Sequence, residues 1–136
     1  MHANSSFDYA IVRVVPRVER EEFVNAGVIL FCRTCRYLEA RIVLDRRRLA
    51  ALAPGLNLDE VERHLAIIPE ICRGDPAGGP IAELPVPERF RWLVAPRSTI
   101  IQISPVHTGL CTDPGEMLTH IVDTMIRTPD ASTELD

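Results

Sequence analysis

The sequence contains no lysine, so all 15 of its basic residues are arginine. A Schiff-base lysine and the lysine of a phosphate-binding P-loop are therefore both excluded. No other motif in the sequence fixes a cofactor, a metal ion or an activated nucleophile. We accordingly predict neither a cofactor nor a bound metal.

Long apolar runs and an excess of positive charge are also lacking. No apolar run reaches the roughly 18 residues of a membrane span, and the opening MHANSSFD has neither the basic start nor the apolar stretch of a signal peptide. The net charge is -4 and the pI about 5.6, whereas nucleic-acid binders usually carry a basic domain or stripe. We expect a cytoplasmic protein without membrane contact, and binding of nucleic acid is not favoured. One alternative stays open, a local basic surface for RNA or an acidic partner made by Arg33, Arg36, Arg41 and Arg46–Arg48.

The size and composition are those of one globular domain. Of the 136 residues, 46% are apolar and 25% are charged, and a domain of this length buries roughly 68% of the surface of its unfolded chain. We predict a single domain over residues 1–128 and a frayed tail over residues 129–136.

Four segments have the patterns of strands. Asp8–Pro16 is rich in β-branched residues, and Ala26–Cys32 is apolar without alternation, as in a central strand covered on both faces. Tyr37–Leu44 alternates apolar and polar residues, and its short connection to the preceding strand predicts antiparallel pairing. Thr99–Ser104 alternates in the same way. These patterns predict an antiparallel sheet of about four strands.

Helical patterns fill the middle and the end of the chain. Arg46–Ala53 predicts a short helix, and Asn57 predicts the cap of a longer amphipathic one that Pro69 should kink or end near Ile68. Pro87–Val94 fits either a helix or a strand.

The clearest helix start is Asp113, with Pro114 and Glu116 after it. The apolar face of this last helix is predicted as Leu118, Ile121, Val122, Met125 and Ile126. We therefore predict an α+β fold in which amphipathic helices cover the antiparallel sheet in a single two-layer domain.

The run Phe90–Leu110 concentrates polar side chains between two apolar patches. Arg97 and the adjacent Ser98 can together bind a phosphate or a carboxylate through hydrogen bonds. Gln102 and Ser104 share one strand face. The alternative is structural, with Arg97 paired to an acidic residue such as Glu22 and Ser98 bonded to local backbone.

Three further residues complete the candidate set. His107 lies beyond the strand end opposite to Arg97, so the two meet only if the loops fold back over the sheet. Arg17 and Asn25 lie between the first two strands and either line a cleft or cap the strand ends. Asn25 beside Gly27 also predicts a bulge or a close backbone approach.

The four cysteines are predicted to be reduced thiols rather than a disulfide framework. Cys32 and Cys35 have the spacing of a zinc half-site or a redox pair, but the sequence offers no second half-site. The alternative is that both are partly buried thiols in a hairpin, with Cys72 and Cys111 as small core residues.

Two segments, DYAIVRVVPRVEREEFVNAGVILFC and RFRWLVAPRSTIIQISPVHTGLCTDP, resemble an uncharacterised bacterial family known as domain of unknown function 3037. The resemblance covers nearly the whole chain but implies no established activity or substrate. It implies an association with HipA-like kinases, and Cys35 is not part of the family pattern. The matching residues are Arg13, Arg17, Glu21, Asn25, Gly27, Arg97, Ser98, Gln102, His107 and Gly109.

We predict from these observations a non-catalytic accessory or binding module that recognises a partner protein or an anionic ligand. The alternative is a small enzyme acting on a phosphorylated or nucleotide-like substrate, with His107 as acid/base and Arg97 neutralising charge. A homodimer through an exposed edge at Tyr37–Leu44 is a further expectation. The predicted ligand-binding residues are Arg17, Asn25, Arg97, Ser98, Gln102, Ser104 and His107.

Overall fold

Five strands form one antiparallel sheet in the computed structural model, which describes residues 4–97 and 99–127. The order along the sheet is β3-β2-β1-β4, and β5 also pairs with β1. β4 pairs with the end of β1 and β5 with its beginning, so both lie on the side of β1 opposite β2. The strands are β1 (Ser5–Val14), β2 (Val24–Cys32), β3 (Tyr37–Ile42), β4 (Ile101–Ile103) and β5 (His107–Cys111).

The helices begin where the capping residues predict. Asn57 accepts a hydrogen bond from the N–H of Glu60 at 3.1 Å, and Asp113 accepts one from the N–H of Glu116 at 3.1 Å. The ambiguous segment at Pro87 is helical. The helices are α1 (Arg46–Leu52), α2 (Leu58–Arg73), α3 (Val86–Val94) and α4 (Pro114–Ile121), and short 3-10 turns occupy Val18–Arg20, Pro76–Gly78 and Pro80–Glu83.

Helices cover both faces of the sheet. Val12 and Val14 of β1 pack in a core with α2 and α3, whereas Phe7 and Ile11 pack in a second core with α4. The predicted α+β fold is confirmed, with five strands and with helices on two faces rather than in two layers. The continuous apolar run of β2 is the reason, because a strand without a polar face must be covered on both sides.

The fifth strand is the main difference from the sequence prediction. His107, expected in a loop, is the first residue of β5 and pairs with Tyr9. Pro105 separates β5 from β4, and Ser104 bridges the gap because its N–H donates to the carbonyl of Ile11 at 2.9 Å. The sequence HTGLC has no apolar alternation, so nothing in its pattern predicts a strand.

α2 continues past Pro69 to Arg73, so the helix does not end near Ile68, which was one of the two predicted effects of Pro69. Its last turn is held from outside the helix, because the buried Arg89 of α3 donates to the carbonyls of Ile71 and Cys72 at 3.2 Å each. Gly74 then ends the helix with φ 72° and donates its N–H to the last-turn carbonyls. These contacts offset the hydrogen bond that Pro69 removes.

The last helix changes period at its end. Val122–Ile126 continues α4 as a π-helical segment, which turns more slowly than an α-helix. Ile126 is buried as predicted, whereas Met125, predicted on the apolar face, is 48% exposed. The predicted tail, residues 129–136, lies outside the described residues.

Candidate functional site

The structure distributes the predicted site residues over several places. Arg97 follows α3, Gln102 is in β4, and Ser104 lies between β4 and β5. His107 begins β5. Arg17 lies in the connection between β1 and β2, and Asn25 is the second residue of β2. Ser98 lies outside the described residues. The predicted set is therefore not one cluster of side chains.

Arg97 is fixed at the C-terminus of α3. Its Nη1 donates to the carbonyl of Leu93 at 3.2 Å and its Nη2 donates to the carbonyl of Trp92. The guanidinium carbon lies 4.0 Å from the centre of the Trp92 ring, a cation–π contact. Partial burial lowers the pKa of Arg97. The alternative pairing with Glu22 is wrong, because Glu22 pairs with Arg20 instead.

Beside Arg97 lies a groove of about 210 Å³, which we call the β4 groove. It is enclosed by α2, by α3 with the segment that follows it, and by the sheet edge. Its lining residues are His64, Ile67, Ile68, Ile71, Trp92, Leu93, Arg97, Thr99, Ile101 and Ile103.

The β4 groove is apolar with a cationic end. Trp92 and Ile67 are each 40% exposed, so a large apolar surface faces solvent. Among the described residues that line the groove, none carries a carboxylate, and the ionisable ones are His64 and Arg97. The groove therefore suits an apolar group that carries a negative charge.

The strand beside the groove is a sheet edge. Because Ile100 O and Ser104 N bond to β1, alternation directs the N–H and C=O groups of Ile101 and Ile103 away from it. Between Arg97 and Asp113 the sequence has no Asp, Glu, Lys or Arg. Natural sheets usually protect an edge strand with charged residues. This edge has none, so another strand can pair with it, except at Pro105, which has no N–H to donate.

The side chains of Ser104 and Gln102 form hydrogen bonds with backbone groups of the protein itself. The buried Ser104 hydroxyl accepts from the N–H of Ile11 at 2.8 Å and donates to the carbonyl of Pro105 at 2.9 Å. The Gln102 amide donates to the carbonyl of Thr99 at 3.0 Å. Ser104 thus holds the junction between β4 and β5, and Gln102 helps to fix the loop in front of β4.

His107 is exposed and separate from the groove. Its ring lies 5.3 Å from the ring of Tyr9, its neighbour in the sheet. Arg97 lines the β4 groove and His107 does not. The proximity that the enzymatic alternative requires is therefore not provided by this cavity.

Arg17 lines a second, wider cavity of about 540 Å³ between the β1–β2 connection and the end of α1. Arg20 and Glu22 form an ion pair at its wall. The opposite wall is the segment from Leu52 to Leu56. Exposed ion pairs of this kind contribute little free energy, and this cavity shares no lining residue with the β4 groove.

Asn25 lies at the predicted bulge. The register of β1 against β2 shifts there, because Val12 pairs with Gly27 and Arg13 pairs with Asn25. The Asn25 amide donates to the carbonyl of Met125 at 3.5 Å, and its Oδ1 is buried without a hydrogen-bond partner among the described residues. This places Asn25 against the end of the last helix.

Of the ten residues that line the β4 groove only Arg97 is in the predicted set, and the missing ones include His64, Ile67 and Trp92. One signal was present, since Ile67 is apolar but lies off the buried stripe of Val61, Leu65 and Ile68. Trp92 had no such signal, because its segment fitted a strand as well as a helix.

No cluster of three or more His, Cys, Asp or Glu side chains suited to a metal occurs within residues 4–97 and 99–127. Over the same residues, no helix is long and apolar enough to cross a membrane. Comparisons with curated proteins and with solved structures give no match. A family model described as "Protein of unknown function (DUF3037)" matches residues 9–126. The match covers most of the chain, from the first strand to the end of the last helix, and the chain therefore belongs to the DUF3037 family.

Proposed function

We propose that this protein is a binding module that holds an extended segment of a partner protein in the β4 groove. The segment supplies an apolar side chain next to a carboxylate. The observation that carries this proposal is an apolar groove with a cationic end beside an uncharged, open sheet edge.

The main chain of the segment pairs with β4. Ile101 and Ile103 offer outward N–H and C=O groups, and strand addition to a sheet edge uses such groups for affinity. The carbonyl of Ile101 accepts from the Thr99 hydroxyl at 2.7 Å, and a carbonyl oxygen has room for a second donor. An incoming strand therefore meets a preformed edge.

An apolar side chain of the segment enters the groove. Every second residue of a paired strand points to the same face, and this face of β4 carries Ile101 and Ile103 into the groove lining. Trp92 and Ile67 would then lose their solvent exposure. Tryptophan and arginine are enriched among residues that dominate binding energy, and both are present here as a stacked pair.

The carboxylate of the segment lies against Arg97. The guanidinium has five N–H donors, and two of its nitrogens already donate to Leu93 and Trp92. The remaining donors are available to an anion, while the stacking on Trp92 keeps the group in place.

The family association makes a HipA-like kinase the first partner to examine. A second copy of this chain, supplying a strand of its own, is the homodimeric form of the same binding mode. The enzymatic alternative with His107 stays a prediction, since no contact within residues 4–97 and 99–127 joins His107 to Arg97.

The proposal is tested with a short synthetic peptide of alternating valine and threonine that ends in aspartates. We expect isothermal titration calorimetry to detect saturable binding to the intact protein. Trp92→Ala and Arg97→Gln should each weaken binding by about tenfold or more, which corresponds to ~1.4 kcal/mol.

Two matched controls separate the groove from other surfaces. Arg91→Gln removes an exposed arginine of α3 that does not line the groove, and Leu110→Ala removes an exposed apolar residue of β5, which lies along the same side of β1 as β4. Both should leave the affinity unchanged within about twofold. Equal weakening by Arg97→Gln and Arg91→Gln, or a larger loss with Leu110→Ala than with Trp92→Ala, would contradict the proposed site.

A further inference from the structure

The hairpin between β2 and β3 brings two cysteines together, away from the β4 groove. Cys32 is the last residue of β2, and Cys35 lies in the turn Arg33–Arg36. The turn closes with a hydrogen bond from the N–H of Arg36 to the carbonyl of Arg33 at 3.1 Å. Arg36 has φ 52°, in the left-handed region. This tight turn keeps Cys35 close in sequence and in space to the end of β2, where its thiol interacts with that of Cys32.

The two thiols share a network of side-chain contacts. Side-chain hydrogen bonds to Cys32, and then to Ser5 and Thr34, lower the pKa of the Cys35 thiol. The sulfur of Cys32 lies 3.7 Å from the hydroxyl oxygen of Thr34. Hydrogen bonds to sulfur stabilise the thiolate, which is the reactive form of cysteine.

Exposure gives the two cysteines different accessibility. Cys35 is exposed, whereas Cys32 is 0% exposed. A reagent from solution therefore reaches Cys35 first, and Cys32 is available only to a sulfur already held at Cys35.

We propose that Cys32 and Cys35 form a reversible dithiol–disulfide pair that exchanges with low-molecular-weight disulfides, Cys35 being the attacking residue and Cys32 the resolving one. This pair is independent of the β4 groove. In a reducing compartment it rests as two thiols.

The exchange proceeds in two displacements. The Cys35 thiolate attacks one sulfur of a disulfide RSSR, the S–S bond breaks, and one RS⁻ leaves. Cys32 then gives up its proton, its sulfur attacks the sulfur of Cys35, and the second RS⁻ leaves. The two thiolates take up the two protons that the cysteines lose. In sum, two protein thiols are oxidised to one disulfide and RSSR is reduced to two RSH.

The other two cysteines are unsuited to this chemistry. Burial raises the pKa of the Cys72 thiol to about 12, on the opposite face of the sheet from Cys32. Burial is also the largest cause of the raised pKa of Cys111. A raised pKa lowers the thiolate fraction, and both side chains are buried, so both thiols are less reactive than an exposed cysteine with a lowered pKa. A structural zinc site needs four ligands, which this pair alone does not supply.

The test treats the native protein at neutral pH with oxidised glutathione and follows the intact mass. The wild-type protein should lose two hydrogens, without a lasting adduct. Tryptic digestion, which cuts after Arg33, should then yield the peptide containing Cys32 joined by a disulfide to Thr34–Arg36. A lasting glutathione adduct on the wild-type protein would overturn the assignment of Cys32 as the resolving residue.

Single variants separate the two roles. Cys32→Ser should accumulate one glutathione on Cys35, and Cys35→Ser should react at least tenfold more slowly, with circular dichroism showing that it is folded. Because Cys32 is buried, Cys32→Ala provides a second variant with the same expected adduct. Cys111→Ser should behave as the wild type. Oxidation of Cys35→Ser at the wild-type rate, or a tryptic disulfide that joins Cys111 instead, would refute the proposal.

Discussion

Ser104 shows how one buried hydroxyl can hold the edge of a sheet. Pro105 has no N–H and interrupts the pairing of β1 with the strands beside it. The Ser104 hydroxyl fills the gap, accepting from the N–H of Ile11 and donating to the carbonyl of Pro105. A residue predicted to bind ligand therefore satisfies the backbone, which is the commoner use of a serine next to a strand end.

Ser104→Ala should reduce the free energy of unfolding by about 1 to 3 kcal/mol, because it leaves the buried N–H of Ile11 without an acceptor. Urea denaturation followed by circular dichroism measures the change. Ser6→Ala, at an exposed position of β1, is the matched control and should stay within ~0.5 kcal/mol of the wild type. Equal stability of the two variants would show that the Ser104 hydroxyl is dispensable.

Single residues were predictable where the partner is local. Asn57 and Asp113 cap helices that begin within three residues of them, so the sequence alone identified both contacts. Arg97 was predicted to bind a ligand, and the partners that the structure gives it are the carbonyls of Leu93 and Trp92 at the end of α3. These carbonyls could not be inferred because Phe90, Trp92 and Val94 fitted a strand as well as a helix.

At the scale of elements, the close approach of β2 and β3 depends on Gly27. A Cβ at this position would lie 2.7 Å from the carbonyl oxygen of Arg41 and 2.7 Å from Cδ1 of Ile42. The register shift of β1 against β2 falls at the same place. The closeness of Asn25 and Gly27 in the sequence predicted a bulge or a close backbone approach, and the structure has both here.

Gly27→Ala should destabilise the protein by about 1 to 3 kcal/mol, because the added methyl overlaps backbone that can move only with β3. Gly55→Ala is the control, since no heavy atom lies within 4 Å of the position its Cβ would take. Differential scanning calorimetry should show a lower Tm for the first variant and an unchanged or slightly higher Tm for the second. A similar Tm for both would mean that β2 and β3 can separate at no cost.

Elements with a strong hydrophobic periodicity in the sequence were predicted, and elements that depend on tertiary contacts were not. The central strand and the starts of α2 and α4 follow from apolar pattern and caps. β5 forms because His107–Cys111 lies along the open side of β1, and α2 passes Pro69 because Arg89 holds its last turn. Neither contact has a signal in the local sequence.

At the scale of the whole molecule, the sheet divides the structure into two cores and has one edge at β3 and the other at β4 and β5, of which the second carries no charged residue. The prediction of a sheet covered by helices is confirmed. The predicted ligand-binding residues do not share this cavity, because the β4 groove is lined by Arg97 but not by Gln102, Ser104 or His107. A run of polar residues in the sequence does not show which of their side chains line a cavity and which bond to the backbone of the sheet edge.

Amide hydrogen exchange, measured by NMR with and without the valine–threonine–aspartate peptide, tests the β4 groove most directly. The N–H groups of Ile101 and Ile103 point away from β1, and by the same alternation so do those of Thr108 and Leu110 on β5. Binding in the β4 groove predicts that exchange slows at least tenfold at Ile101 and Ile103 and stays unchanged at Thr108 and Leu110. Unchanged exchange at Ile101 and Ile103 under saturating peptide, or protection confined to Thr108 and Leu110, would contradict it.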